Sequence, residues 1–385
     1  MPSARSQRYE VLDAWRGICA LLVALVHVPV AHDWQSAAVF QNMQLFVDFF
    51  FVLSGFVICH AYGQLLSETG NWAGFMIRRF GRVWPLHAAI LAAMLVIEFL
   101  KLGVGQFVQI PLDGVPFTDN RSVTTLISNL FLTQAMNVHA TTSWNFPAWS
   151  IGVEFYTYAV FAAAVLVAGP RSSVYAGLAA VGLAGVVAFS QGWLFTTYDF
   201  GMFRCLYGFF IGCLVFESHK ASPARSTTAM ECAALAALVL FMFTTGRNPT
   251  SLAAPVIFAL IVYVFAAEKG GISNALKSAP AQALGLWSYS IYMVHVLVFI
   301  LLKIILTPLS KIAWLGLYGV QAEAGKQWSF GNPVLDWLLI AVELGLVAWL
   351  ARWTYEHIEA PYRTWFASLA DDLTKREPAR AAALA

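Results

Sequence analysis

Ten apolar stretches, each near the length that crosses a lipid bilayer, restrict what this chain can fold into more than any motif does. They fall at about 12–31, 43–63, 84–103, 149–169, 172–190, 202–217, 228–245, 252–267, 284–306 and 334–355. A hydrocarbon core about 30 Å thick takes about 20 helical residues, against about 9–11 for a barrel strand. Stretches of this length therefore read as helices, which satisfy every backbone polar group internally. Composition agrees: 59% of the residues are hydrophobic and 11% charged, where a globular protein has about 25% charged. The expected fold class is an all-α polytopic integral membrane protein, about ten transmembrane helices in one bundle.

Residues 124–136 are also apolar but short, and they contain Asn129 and Gln134. Lysine and arginine collect in cytoplasmic loops, and this rule decides how that piece is placed. If it does not cross and the N-terminus is inside, Arg5, Arg8, Arg78, Arg79, Arg82, Arg171, Lys220, Arg225, Lys269 and Lys277 all face the cytoplasm. The tail residues Arg363, Lys375, Arg376 and Arg380 join them. The other side then holds only Arg121, Arg247, Lys311 and Lys326. If the piece crosses, the asymmetry collapses after residue 136. The expectation is ten spans with both termini cytoplasmic and an extra re-entrant or interfacial helix near 124–136. The long outer loops would be 104–148 and 307–333. The first span is expected to remain uncleaved, with 1–363 as one integral membrane domain and 364–385 as a cytoplasmic tail.

A net charge of +2 gives no reason to expect nucleic acid as a partner. No Gly-rich phosphate loop and no metal-spaced Cys/His set is present, so no metal is expected. The five cysteines (Cys19, Cys59, Cys205, Cys213, Cys232) lie in or beside apolar runs and read as small hydrophobes.

Charged and polar residues inside spans are costly and are usually kept for function. The first span carries Asp13, Arg16 and His27. Arg16 and His27 are eleven positions apart, which returns to nearly the same helix face about 16 Å further along. The second span carries Asp48 and then Ser54-Gly55, where the glycine allows close helix approach; a packing seam is the bland alternative. Arg78, Arg79 and Arg82 precede the third span on one helix side, where guanidinium forks suit phosphate; a positive-inside cluster explains them equally simply. Ser150, Glu154 and Tyr158 step by four along the fifth span, and Glu154 would lie at a depth similar to His27. A structural ion pair, for instance with Arg204, competes with pairing to that imidazole. Gly285, Ser288, Tyr292 and His295 share another helix face, beside Tyr289. The closing run Tyr355 to Arg363 reads most simply as a helix end with surface charges.

In this order the segments resemble the membrane acyltransferase family 3. Leu12-Asp13 with Arg16-Gly17 and the downstream His27 resembles its opening L-D-x-x-R-G pattern. Phe50 to Phe56 resembles F-F-x-x-S-G-F, and Arg78 to Pro85 resembles R-R-x-x-R-I-x-P. Trp149 to Glu154 with Tyr158 resembles W-S-L-x-V-E-x-x-x-Y, Ser288 to His295 resembles S-Y-x-I-Y-L-x-H, and Tyr355 to Pro361 resembles Y-x-x-x-E-x-P. Trp15 departs from the usual small or aliphatic residue. The match runs from residue 12 to about 363, the stand-alone form without a fused esterase-like domain.

The resemblance implies an acyl-CoA-dependent O-acyltransferase of surface or lipid-linked glycans in a bacterial cytoplasmic membrane, with acetyl-CoA as the leading donor. It implies His27 as general base, with an unperturbed imidazole poised near neutral pH. Either Glu154 or Asp48 would orient it. Arg16, Arg78, Arg79 and Arg82 would hold the acyl-CoA. Asp13, Ser54, Tyr158, Ser288, Tyr289, Tyr292 and His295 would support the site or the acceptor. Membrane lipids are expected as partners, with a homodimer as the candidate assembly. A transporter or flippase for a glycan or amphiphile is the alternative that buried charges and many spans also suit.

Overall fold

The computed structural model describes residues 8–105, 115–223, 225–322 and 325–384; Arg5, one of the orienting charges, lies outside them. Fourteen α-helices dominate: α1 (Glu10–Leu25), α2 (Ala38–Asn42), α3 (Phe46–Thr69), α4 (Trp72–Gly105), α5 (Val123–Leu130), α6 (Trp149–Ala168), α7 (Ser172–Phe189), α8 (Gly201–Ala221), α9 (Thr228–Thr244), α10 (Ala254–Phe265), α11 (Gly271–Leu276), α12 (Ala279–Leu309), α13 (Pro333–Thr354) and α14 (Ala360–Leu384). Each of the ten apolar stretches falls on one of these helices. Among the described residues, seven helical segments are long and apolar enough to cross a membrane by length and composition. The helices α1, α9 and α10 are shorter, at 16, 17 and 12 residues. The 124–136 stretch forms only the eight-residue α5, about 12 Å of helix and too short to span.

Small residues let the helices approach closely, as packing in an apolar solvent requires. At the α1–α12 crossing, a Cβ added to Gly17 would sit 2.4 Å from the Leu284 carbonyl carbon, and one added to Gly285 would sit 2.5 Å from the Asp13 carbonyl oxygen. At the α3–α8 crossing, Gly55 faces the Phe209 carbonyl and Gly212 faces that of Val52, at 1.8 and 1.9 Å from an added Cβ. Gly55 is thus a packing residue. Beside this seam Asp48 accepts two hydrogen bonds from Arg204, at 2.9 and 2.7 Å, and both side chains are buried. Arg204 also donates to the Thr196 carbonyl and lies 5.2 Å over the Trp149 ring.

Three features depart from the sequence expectation. The first helix ends at Leu25 instead of continuing to Ala31. Proline has no N–H for the Leu25 carbonyl and disfavours helical backbone at Val28, so the chain leaves the helix through a turn in which the His27 N–H reaches the Ala24 carbonyl. Secondly, the all-α expectation omits a two-stranded antiparallel hairpin between α12 and α13, formed by β1 (Tyr318–Ala322) and β2 (Gly325–Ser329). The residues after His27 join it through a parallel bridge between Val30 and Trp328. Thirdly, α13 does not stop at the membrane end. It passes through a π-helical turn, Tyr355–Glu359, into α14, so the expected tail boundary at 363/364 falls inside a helix. Its early turns pack along α4: Phe366 meets Gly81, Asp371 pairs with Arg78, and the Asn71 amide donates to Thr374 at 2.7 Å.

The glycine seam gives a direct test. Gly55→Leu should destabilise the fold by at least the ~1–3 kcal/mol typical of overpacking, because backbone rather than a flexible side chain stands in the way. Gly345→Leu, with nothing within 4 Å of an added Cβ, should change stability by less than about 0.5 kcal/mol. Thermal unfolding in detergent followed by tryptophan fluorescence compares the two; equal effects would refute the seam.

Candidate active site

The arginine cluster sits on the leading turns of α4, and the structure divides its members. Arg78 turns outward to Asp371 on α14. Arg82 pairs with Glu359 and lies 5.3 Å over the Tyr289 ring. Only Arg79 has no carboxylate. Its guanidinium reaches the Tyr62 hydroxyl at 3.1 Å, lies over the Tyr62 and Tyr158 rings at 5.0 and 6.0 Å, and leaves Nε buried without a partner. Arg16 comes to the same place from α1. It donates to Ser288 at 2.8 Å, shares Asp13 with Arg8, and keeps a side chain 29% exposed. Arg78 and Arg82 thus have acidic partners from the chain's far end, and of the four arginines Arg16, Arg79 and Arg82 reach one cavity while Arg78 does not line it.

Arg16, Arg79 and Arg82 line one narrow cavity of about 130 Å³ with Glu154, Tyr158 and Tyr292. The Tyr158 hydroxyl donates to Glu154 at 2.6 Å. Since that proton is committed, Ser54 donates to the Tyr158 oxygen at 3.1 Å. Tyr289, on the cavity wall, donates to the Val83 carbonyl of α4. The Ser150 and Tyr292 hydroxyls lie 2.8 Å apart, each within reach of the Pro147 carbonyl.

The α12 face foreseen from spacing is real. Gly285 lets α1 approach, Ser288 takes the Arg16 hydrogen bond, Tyr292 lines the cavity, and the His295 ring lies 5.9 Å from that of Tyr292. His295 in turn stacks on His27, with centroids 5.4 Å apart and planes 22° apart. Phe146 meets the His27 ring edge-on at 4.9 Å. Both imidazoles donate from Nδ1 to the carbonyl one helical turn back: His27 to Val23 at 2.7 Å and His295 to Ile291 at 3.3 Å. A neutral imidazole fixed in that tautomer presents Nε2 as a lone pair. His295 Nε2 is buried without a partner.

Neither carboxylate named as the orienting group reaches His27. Asp48 is held by Arg204, and Glu154 by Tyr158 on the arginine side of the bundle. Depth along a span says nothing of which face a side chain presents, which is why equal depth misled the pairing argument. The orienting acceptor at His27 is the backbone of its own helix. Glu359 is a buried carboxylate beside the arginine cluster that sequence reasoning set aside. The π-turn carries it inward, where it accepts from Ser290 at 2.8 Å as well as pairing with Arg82. π-helical turns are rare and frequently mark functional positions, and the closing Y-x-x-x-E-x-P pattern was the signal that pointed to it. Glu231, also buried, caps backbone N–H groups at the start of α11 and has no part here. Among the described residues, no group of three or more His, Cys, Asp or Glu side chains is placed to hold a metal ion.

Breaking the buried Asp48–Arg204 pair should act on the fold. Asp48→Ala leaves an uncompensated guanidinium, with an expected loss of about 3–5 kcal/mol. Thermal unfolding should show it; a folded Asp48→Ala protein of wild-type stability would remove the structural role.

Comparison with known proteins adds to this geometry. A segment of 95 residues, 24% of the chain, is 38% identical to "Protein 2 in picA locus" from Rhizobium radiobacter and spans 48% of that relative, about half its length. No solved structure matches the chain. The family model described as an acyltransferase domain matches residues 9–353, from the start of α1 to the end of α13. The chain is therefore a membrane protein belonging to the acyltransferase 3 family.

Proposed function

We propose that this protein is an integral membrane O-acyltransferase. It moves an acyl group, acetyl in the leading case, from cytoplasmic acyl-CoA to a hydroxyl of a surface or lipid-linked carbohydrate. In this reading ten helices cross a bacterial cytoplasmic membrane with both termini inside, so the arginine end of α1 faces the cytoplasm and the His27 end faces out. The observation that carries the reading is the continuity between the two ends. Tyr292 lines the arginine cavity, its ring lies 5.9 Å from that of His295, and His295 stacks on His27.

Arg79 and Arg16 supply guanidinium groups for CoA phosphates, which forks of this kind bind well. Arg82 is kept in place by Glu359 and Tyr289. The pantetheine arm follows the cavity towards Tyr292 and delivers the thioester to the histidines. His27, with Nδ1–H committed to Val23, takes the acceptor hydroxyl proton on Nε2 as the oxygen attacks the thioester carbonyl. The tetrahedral intermediate collapses, the C–S bond breaks, and the imidazolium returns its proton to the CoA thiolate. Ester and free CoA are the products, and the histidine is restored.

Membranes containing the protein should transfer label from acetyl-CoA to glycan, and His27→Ala should lower that rate by about 10²–10⁴-fold while the protein stays inserted and folded. Wild-type rates in His27→Ala would exclude His27 as the base. Glycan movement without acyl-CoA consumption would support a transporter instead. Arg79→Ala should raise the KM for acyl-CoA by about tenfold or more, the scale of one charge-assisted contact, with little change in the acceptor KM. The reverse pattern, read from steady-state kinetics in nanodiscs, would reduce the arginines to a topological role.

A further inference from the structure

Beyond His27 the chain runs extended along the hairpin. The Ala31 N–H donates to the Trp328 carbonyl and the Trp328 N–H to the Pro29 carbonyl, each at 2.9 Å. This pairing carries His32, five residues after His27, into a second cavity of about 370 Å³, set between that segment, the hairpin and the start of α13. A volume of this size falls within the range of small-molecule sites, ~300–1,000 Å³.

The chemistry of its lining is specific. Gln327 is 7% exposed and lines the cavity, and its Oε1 is buried without a hydrogen-bond partner. Both ring nitrogens of His32 are in the same condition. Burial lowers the His32 pKa below its ordinary value, against the opposing charges of Asp33 and Asp336. Asp336 is already engaged: Oδ2 accepts from Ser329 at 2.8 Å and Oδ1 from the Phe330 N–H at 2.7 Å. No lysine or arginine is among the lining residues. One aromatic wall is Trp337, 5.2 Å from the His32 ring. A buried polar atom left unpaired costs about 1–3 kcal/mol, so Gln327 Oε1 calls for a donor and the His32 ring, at least one of whose nitrogens carries a proton, calls for groups that both accept and donate, as hydroxyls do. An aromatic face beside an amide, an imidazole and the carboxylates of Asp33 and Asp336, with no lysine or arginine among the described lining residues, suits the hydroxyls and C–H face of a sugar ring and does not suit an anion.

We propose that this cavity is a sugar subsite, holding a neutral carbohydrate unit next to the unit whose hydroxyl reaches His27. The acceptor is then an oligosaccharide or polysaccharide rather than an isolated small alcohol. The inference rests on the transfer reading above for what happens at His27, while the site itself is testable without any transfer.

The full chain in nanodiscs is titrated with maltotriose, cellotriose and chitotriose, with glycine betaine as the cationic control, and binding is followed by saturation-transfer NMR. At least one trisaccharide should bind wild-type protein. Trp337→Ala and Gln327→Leu should each weaken it about tenfold or more, the scale of one lost stacking or hydrogen-bonding contact. Size-exclusion elution identifies folded variants, and Gln327→Leu keeps the side-chain volume. His27→Ala should bind the sugar as wild type does. The proposal is overturned if no trisaccharide binds, if binding survives within about twofold in both folded variants, or if betaine binds and the sugars do not. Acyl transfer without saccharide binding removes the subsite and leaves the transfer reading standing. Variant-sensitive binding without acyl transfer keeps the sugar site and removes the transfer reading.

Discussion

The close crossing of α1 and α12 is the constraint on which the rest of the site depends. Gly17 and Gly285 bring two backbones within a distance that no side chain permits, and in an apolar solvent such contact is what holds helices together. With the axes locked at that level, the polar residues above and below are brought together in pairs. Arg16 meets Ser288 on one side of the crossing, and His27 stacks on His295 on the other. Neither pairing needs a salt bridge to form it.

Buried charge is handled by segregation. Asp48 and Arg204 neutralise each other inside the α3–α8 seam. Glu98 takes Lys101 and Arg121 at the far end of α4. Arg82 and Arg78 are matched by Glu359 and Asp371 from the helix that follows α13. Facing the cavity are Arg79, without a carboxylate partner among the described residues, Arg16, which shares Asp13 with Arg8, and Arg82, which pairs with Glu359. In a medium where an unpaired ion is expensive, that residue of positive charge is the part of the bundle best matched to an anionic ligand, and it carries the donor side of the proposed reaction.

The hairpin extends the same logic to the other end of α1. Because Pro29 ends the helix and Pro29–Ala31 pairs with β2, His27 is fixed between a helical turn on one side and a strand on the other. His27 and the lining of the second cavity thereby share one continuous segment, and the proposed acceptor site inherits its position from the same short run of chain.

Periodicity and length alone established the helical membrane class and placed a helix on each of the ten apolar stretches, because an apolar run has few alternatives in a bilayer, although α1 ends well before Ala31 and α4 begins well before residue 84. The shared α12 face and the candidates Arg16, Arg79, Tyr292, His27 and His295 were equally legible, since helical spacing fixes which residues share a side. Which partner each would find was decided only in three dimensions. Asp48 and Glu154 were credible partners for His27 by depth, yet helix rotation gives one to Arg204 and the other to Tyr158. Glu359 looked like a surface charge until a π-turn moved it inward. The hairpin left little trace in its alternation because its register is set by a distant segment, Pro29–Ala31. A sequence specifies the face and height of each side chain on its own helix; the rotation and crossing of that helix against its neighbours come from packing, and they decide which charges meet.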